Sequence, residues 1–322
     1  MPAISGIDIG YGFTKIYYSQ NSTGSEDSCR FDMFPSAVSK FIPKMTFSDS
    51  QSIVTVNNEQ FLVGESAVRE GIGMINTRQS DFVGSNAYCA ILSLALARTS
   101  VNPDIMILGL PPGQYNRQYA DMIMEKVRSA RIALPNGTLT GVPRTIRYIP
   151  QGSGIFFSHL RNEENDVFNL RVAVLDVGYY TLDTLFLVKG KYVENSAQSR
   201  QLGVSCLYEQ VRKEFQNEFR VSLKSHMTIE QILNTGKVTI MGRSYEFDAR
   251  RILEAYNAEV SSNVSNYIEN LPDEVDVLIG GGGGVKYLNS GAFKYRFLIT
   301  DHPQFANARG YFEYGKHVMA RG

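Results

Sequence analysis

Tryptophan is absent from the 322 residues, and only three cysteines occur, Cys29, Cys89 and Cys206. An odd number of distant thiols builds neither a disulfide framework nor a paired zinc-ligand pattern, so the expected setting is a reducing cytoplasm. Net charge is missing too. Lysine plus arginine total 32 and aspartate plus glutamate total 32, so no overall field draws the chain onto nucleic acid or anionic lipid, and direct binding to either is not expected. The most apolar run, residues 87–97, is about half the length needed to cross a bilayer and reads as a buried helix. The N-terminus lacks the basic and apolar regions of a signal peptide. The four histidines, His159, His226, His302 and His317, are scattered and suggest no metal site. No G-x-x-x-x-G-K-[ST] sequence is present, which excludes a P-loop.

What is present is an ordinary globular composition, 43% hydrophobic and 20% charged, with length for two domains or one large one. Residues 4–18 read as a β-hairpin around Gly10-Tyr11-Gly12. A polar, turn-rich stretch follows and reads as a small inserted subdomain over about 30–85, with short strands at 52–56 and 61–63. Helical spacing at 87–98, an apolar strand at 104–110 ending in Pro111-Pro112-Gly113, and an amphipathic helix at 115–131 indicate α/β character. The second half opens as the first does, with strands at 170–180 and 184–192. Helices at 205–219 and 247–271 flank a polar segment, read as an insert over about 220–246. A buried strand at 275–279 runs into Gly280 to Gly284, and a short strand at 297–299 precedes a last helix at 306–319.

Both opening hairpins carry an apolar-Asp-apolar-Gly core, Ile7-Asp8-Ile9-Gly10 and Leu175-Asp176-Val177-Gly178, separated by 168 positions. An internal duplication is the simplest account. It predicts domain I over 1–165 and domain II over 166–322, with a C-terminal helix at about 303–322 returning to domain I.

An aspartate beside a glycine turn at the end of a buried strand offers phosphate oxygens a cradle of backbone amides, and its carboxylate can hold a metal-bound water. A lone Asp-x-Gly is a common turn; two facing each other would clamp a polyphosphate. Lys15, seven residues past Asp8, could reach a β- or γ-phosphate, and Thr181 and Asp183 follow Asp176 at similar spacing. Gln151 in Tyr148-Ile149-Pro150-Gln151-Gly152-Ser153-Gly154 could orient an attacking water or could belong to a polar turn. The five-glycine run lets backbone approach a flat ligand such as a purine or ribose, or is a flexible loop. It is not a dinucleotide fingerprint, which would open a βαβ unit.

Taken in order, these segments resemble the actin-like ATPase superfamily, which includes actin, DnaK-type chaperones and sugar kinases. The first phosphate loop is similar to Asp8 through Lys15, the first connecting segment to Pro150-Gln151-Gly152, and the second phosphate loop to Leu175 through Asp183. The adenosine motif is similar to Leu278 through Gly283, and the second connecting helix to Ala306-Asn307-Ala308-Arg309-Gly310. Leu108-Gly109-Leu110-Pro111-Pro112 followed by Tyr115, and Pro303 through Gly310, look most like plasmid-segregation actins of the ParM/StbA type and their archaeal relatives.

The resemblance implies two duplicated RNase H-like α/β domains around a nucleotide cleft, each with a small inserted subdomain. It implies catalytic roles for Gln151, Asp8 and Asp176, the two aspartates organising Mg²⁺ through water. Nucleotide contacts would come from Gly10, Tyr11, Gly12, Phe13, Thr14 and Lys15, and from Gly178, Tyr179, Tyr180, Thr181 and Asp183. Glu209 and Lys213 would supply ribose or base contacts, and Gly281, Gly282 and Gly283 would back the adenosine. Tyr11 and Phe13 are bulkier than the small residues usual in the first turn, and Asp183 stands where actin carries histidine. ATP is the implied nucleotide, with GTP as the alternative. The implied function is a slow Mg-dependent ATPase that polymerises into filaments for plasmid or DNA segregation, its partners being its own copies and a DNA-binding adaptor. Two other readings stand beside it: a small-molecule kinase of the same fold, though none of the three cysteines forms a zinc loop, and a nucleotide-dependent switch that does not polymerise.

Overall fold

The computed structural model describes residues 3–19, 29–43, 52–79, 81–99, 103–115, 117–134, 137–139, 145–160 and 167–320. The first half contains β1 (Ile4–Ile9), β2 (Phe13–Ser19), β3 (Cys29–Pro35), β4 (Val38–Lys40), β5 (Ile53–Val56), β6 (Glu59–Val63), α1 (Glu65–Glu70) and α2 (Asn86–Arg98). It continues with β7 (Ile105–Leu110), α3 (Arg117–Ser129), β8 (Arg131–Leu134), β9 (Gly137–Leu139), β10 (Thr145–Pro150) and α4 (Ser153–His159). The second half contains β11 (Arg171–Val177), β12 (Leu182–Val188), β13 (Lys191–Tyr192), β14 (Gln198–Arg200), α5 (Val204–Phe219) and α6 (His226–Thr235). It ends with β15 (Lys237–Ile240), β16 (Arg243–Glu246), α7 (Arg250–Glu269), β17 (Val277–Gly281), β18 (Phe297–Ile299) and α8 (Ala306–Ala320).

Each half is built on a mixed sheet that opens with an antiparallel hairpin. In the first the order is β10-β7-β1-β2-β3, and in the second β13-β12-β11-β17-β18 with β14 also on β12. The inner strands β1, β7, β11 and β17 are apolar and buried almost throughout, because helices cover the parallel part of each sheet on both faces. Between the sheets lie α4 and α8, which share one core made of Ile107, Ile149, Phe156, Val174, Ile279 and Tyr311. Their backbones cross at two glycines. A Cβ on Gly310 would stand 1.6 Å from the carbonyl oxygen of Gly154, so only glycine allows this approach. Ala308 and Phe312 of α8 also pack on Ile4 and Tyr17, carrying the last helix onto the first sheet.

The first insert differs in extent from the sequence expectation. β3 lies within the predicted insert 30–85 but is hydrogen-bonded along β2 as the edge of the first sheet. The insert's own sheet, β4-β6-β5-β8-β9, takes two strands from beyond α3. Its helical companions are apolar enough to bury Val54, Val56, Phe61 and Val63 against α2. The polar stretch 220–246 is α6, capped by the Ser225 hydroxyl and ended by left-handed Gly236, followed by the β15–β16 hairpin. The expected junction between residues 165 and 166 lies outside the described residues.

Candidate functional site

The two hairpin turns close in the same way. The amide of Gly10 donates to the Phe13 carbonyl at 3.2 Å, and that of Gly178 to the Thr181 carbonyl at 2.9 Å. Antiparallel register then sets Lys15 opposite Asp8 and Asp183 opposite Asp176. The turns face each other across a cleft of about 750 Å³ between the halves.

Three carboxylates and one ammonium meet at its floor. Lys15 Nζ lies 2.9 Å from Asp8 Oδ2. Burial works against the lysine charge, but Asp8 and Asp176 outweigh it and hold the ammonium above its ordinary range. Asp176 has no such partner. Burial, and then the charges of Asp8 and Asp183, push its carboxyl up to about 7. Asp183 is also raised, first by burial, against hydrogen bonds from Ser199 and Thr181; the Thr181 hydroxyl donates at 2.7 Å.

Each aspartate receives an amide side chain from a connecting helix. Gln151, just before α4, donates from Nε2 to Asp8 Oδ1 at 3.1 Å. Asn307, in the first turn of α8, donates from Nδ2 to Asp176 Oδ2 at 2.6 Å. The same separation relates Gln151 to Asn307 and Gly154 to Gly310, so the connecting helices are matched as the hairpins are. In the sequence Asn307 stands out only as part of the second connecting helix; its partner Asp176 follows from the folding of α8 against β11.

The glycine run ends β17. Gly282 has φ of +83°, and a Cβ there would meet Asp176 Oδ1 at 2.4 Å, so the run brings bare backbone against the carboxylate. Beyond it the cleft is walled by Tyr179, Tyr208, His226, Glu230 and Lys286. The Tyr179 hydroxyl lies 2.8 Å from His226 Nε2, and the Tyr208 hydroxyl donates to Glu230 at 2.5 Å.

Of the residues expected in the site, Asp8, Gly10, Tyr11, Gly12, Phe13, Lys15, Gln151, Asp176, Gly178, Tyr179, Thr181, Asp183, Gly282 and Gly283 line the cleft. Five do not. Thr14 points to the other face of β2, where its hydroxyl lies 2.8 Å from that of Ser36. The Tyr180 ring packs beneath the Arg78 guanidinium, and Gly281 packs on Ile155. Glu209 and Lys213 are exposed on the outer face of α5, where Glu209 pairs with Arg212. The helix instead presents Tyr208, one position earlier, and the charges at this end come from α6 and from residue 286. A second groove, about 940 Å³, lies between α6, α7 and residues 286–292, with serine and asparagine interspersed among apolar and charged residues. It lacks the paired turns.

The donor set fits Mg²⁺. Asp8, Asp176 and Asp183 bring more negative charge than Lys15 offsets, and the repulsion of Asp8 and Asp183 adds to burial in raising the Asp176 carboxyl. Among the described residues no three acidic, cysteine or histidine side chains converge closely enough to hold a bare ion. A cation here would therefore keep much of its water shell, which is the habit of Mg²⁺.

The profile of the actin-like proteins' N-terminal domain matches residues 6–154, and that of the archaeal actin homologue MreB-like C-terminal domain matches residues 174–291. The chain belongs to the actin-like superfamily. No curated protein matches the sequence. Among solved structures, the archaeal actin homologue Ta0583 superposes with a TM-score of 0.80 at 19% identity, covering 98% of this chain and 100% of that one. The same homologue in complex with ADP gives 0.75 at 19% identity, with coverage of 98% and 100%. A subunit of a 15-stranded ParM filament from Clostridium botulinum gives 0.69 at 21% identity, with coverage of 98% and 99%. The actin-like fold thus extends over nearly all of the chain.

Proposed function

We propose that this actin-like protein binds Mg·ATP between its two halves, hydrolyses it slowly and assembles with its own copies into filaments. The observation that carries this reading is the facing pair of turns, each with a buried aspartate held by an amide from a connecting helix. Such a pair suits a polyphosphate, whose oxygens would be met by the amides of residues 11–13 and 179–181, those of Gly10 and Gly178 being used to close the turns. Lys15 supplies positive charge near the β- and γ-phosphates. Asp8 and Asp176 would hold Mg²⁺ through water, and the ion would supply neutralisation of the charge developing on the phosphoryl oxygens. Gln151, whose amide donates to Asp8, orients the attacking water. The nucleoside lies toward Gly282, Gly283 and the Tyr179–Tyr208–His226 wall. The ADP complex of the archaeal homologue supports an adenine nucleotide, and the ParM and Alp12 filament structures support self-assembly.

Because α4 and α8 pack between the two sheets at the back of the cleft, ligand contacts to both turns would favour a closed arrangement, and closure is what couples nucleotide to assembly. Filament growth requires non-closing contacts between unlike ends of the molecule. The three free cysteines fit a cytoplasmic setting, and no described helix is long and apolar enough to cross a membrane. Segregation of a plasmid or other DNA through a DNA-binding adaptor is the cellular role we assign.

High-speed pelleting with and without Mg·ATP, read beside phosphate release, tests the reading. We expect sedimentable polymer only with nucleotide, and a loss of about 10²-fold in turnover for Gln151→Ala with nucleotide binding kept. Normal turnover in that variant would exclude the hydrolytic role; nucleotide-independent pelleting would exclude the coupling.

A further inference from the structure

The cleft contains a third cation whose position no motif explains. Lys15 is committed to Asp8, and Lys286 lies at the nucleoside end, 3.8 Å from Glu230. Arg78 belongs to neither group. It comes from the segment between α1 and α2, lines the cleft, and places its guanidinium carbon 4.5 Å from the centroid of the Tyr180 ring. Tyr180 is part of the second turn, so a residue of the first half rests on the phosphate cradle of the other.

Its presentation is built. The Asn76 side-chain oxygen accepts from the Arg78 amide at 3.0 Å, and the Thr77 hydroxyl donates to the Tyr11 carbonyl at 3.4 Å, tying the segment to the first turn. The Phe82 amide donates to the Gln79 carbonyl at 3.0 Å and closes the next bend. Tyr11 meets Tyr180 edge-on with ring centroids 6.4 Å apart. Among the described residues no carboxylate pairs with Arg78.

We infer that Arg78 is a catalytic arginine supplied in cis, which leaves the Tyr180 ring to grip the γ-phosphoryl group of a bound nucleoside triphosphate. This rests on the nucleotide reading above. An exposed cation–π contact holds a guanidinium by only about 0.5–1 kcal/mol. A forked, charge-assisted bond to phosphate oxygens is stronger and matches the guanidinium's planar donors. The resting contact is therefore a weak perch, given up when a terminal phosphoryl group arrives and kept when only a diphosphate is bound. Phosphoryl transfer spreads charge over the three equatorial oxygens, and a guanidinium there lowers the barrier as well as sensing the group. Arg78 also gives the first-half insert a direct reason to move toward the second turn in the triphosphate state.

The test uses the full chain below its assembly concentration, titrated calorimetrically with Mg·ADP and with a non-hydrolysable Mg·ATP analogue, followed by single-turnover phosphate release. Arg78→Ala should weaken the triphosphate analogue about tenfold, the order set by losing one charge-assisted contact, while ADP affinity stays within about twofold. Turnover should fall about 10²-fold, short of the largest arginine effects known. Arg78→Lys should restore only part, because an ammonium cannot fork. The sequence has no tryptophan, so Tyr180→Trp places a single tryptophan, excitable apart from the tyrosines, under the guanidinium; its fluorescence should change with the triphosphate analogue and not with ADP, and Arg78→Ala should abolish that change. Equal loss of both nucleotides, or no loss of either, overturns the role of Arg78 while leaving nucleotide binding standing. A wild-type chain that binds neither nucleotide overturns the underlying reading and this role with it.

Discussion

The first and second turns share their backbone closure, their buried aspartate and the amide that each aspartate receives, yet the residue opposite the aspartate is Lys15 in one and Asp183 in the other. Duplication supplied a matched frame, and this reversal of sign divides the labour within it. The first turn neutralises itself: Asp8 is paired and largely settled whether or not a ligand is bound. The second sets two carboxylates face to face and leaves Asp176 raised to about 7 by burial and its neighbours. Such a turn carries an electrostatic cost that a cation relieves, so the unliganded protein gives up stability where it gains affinity. The asymmetry of the two turns across the cleft is thus electrostatic before it is geometric.

The largest expected effect lies where the two halves meet. If the matched helices must touch backbone to backbone, Gly310→Ala should cost about 3 kcal/mol or more, since the Gly154 carbonyl in its path is main chain and cannot swing aside. Gly283→Ala, where nothing comes nearer than 3.7 Å, should cost less than about 0.5 kcal/mol. Urea denaturation compares them, and similar values would mean that the crossing is not tight. Next comes the first turn. Lys15→Met strands Asp8, whose side chain is 3% exposed, and should lower stability by about 2–3 kcal/mol, below the full cost of a broken buried pair because Lys15 is 18% exposed and Gln151 still donates. The second turn should answer with the opposite sign. Asp183→Asn removes a like charge from beside Asp176 and keeps an acceptor for Thr181, so the metal-free chain should gain about 1 kcal/mol while Mg²⁺-dependent nucleotide binding weakens. A loss of metal-free stability in both variants would remove the charge reversal as the difference between the turns.

Much of this arrangement was legible because it depends on short-range pattern. The alternation of apolar residues around Asp8 and Asp176 forces buried strands, and hairpin register follows from the turn, which brings Lys15 and Asp183 into place. Gln151 could be found because it follows an apolar strand and precedes a glycine. The remainder depends on packing between distant segments. Asn307 looks like any small polar residue in a helix until α8 lies beside β11. Glu209 and Lys213 attract attention as charges, but α5 buries Leu207, Tyr208 and Val211, and that stripe turns its charged face to solvent. The useful charge came from α6, hidden in a polar stretch that reads only as an insert although Ser225 and Gly236 mark the helix ends. β3 was missed for a related reason: as an edge strand it is largely open, and its residues alternate without a strong apolar signal. Arg78 sits in a bend outside any periodic element, where sequence carries no information about what the side chain will face.

The smallest expected effect separates the connecting helices themselves. His159 near the end of α4 is 4% exposed, whereas the matched position of α8 is Gly315, which leaves room for Ile4 and Ile107. Neither ring nitrogen of His159 has a hydrogen-bond partner among the described residues. Burial lowers its pKa, with Arg296 acting in the same direction and Asp301 against it. Its folded pKa therefore lies below the unfolded value near 6.5, and the unfolded chain takes the proton more readily. The stability linked to neutral His159 is fully present above about pH 6.5 and is lost as pH falls through the lowered folded value, at a rate of about 1.4 kcal/mol per pH unit at most. Urea midpoints between pH 8 and pH 5 should fall more steeply for the wild type than for His159→Leu, which keeps a buried apolar volume but cannot be protonated. Parallel pH profiles would show that α4 tolerates the charged ring, and the two connecting helices would then differ in shape alone.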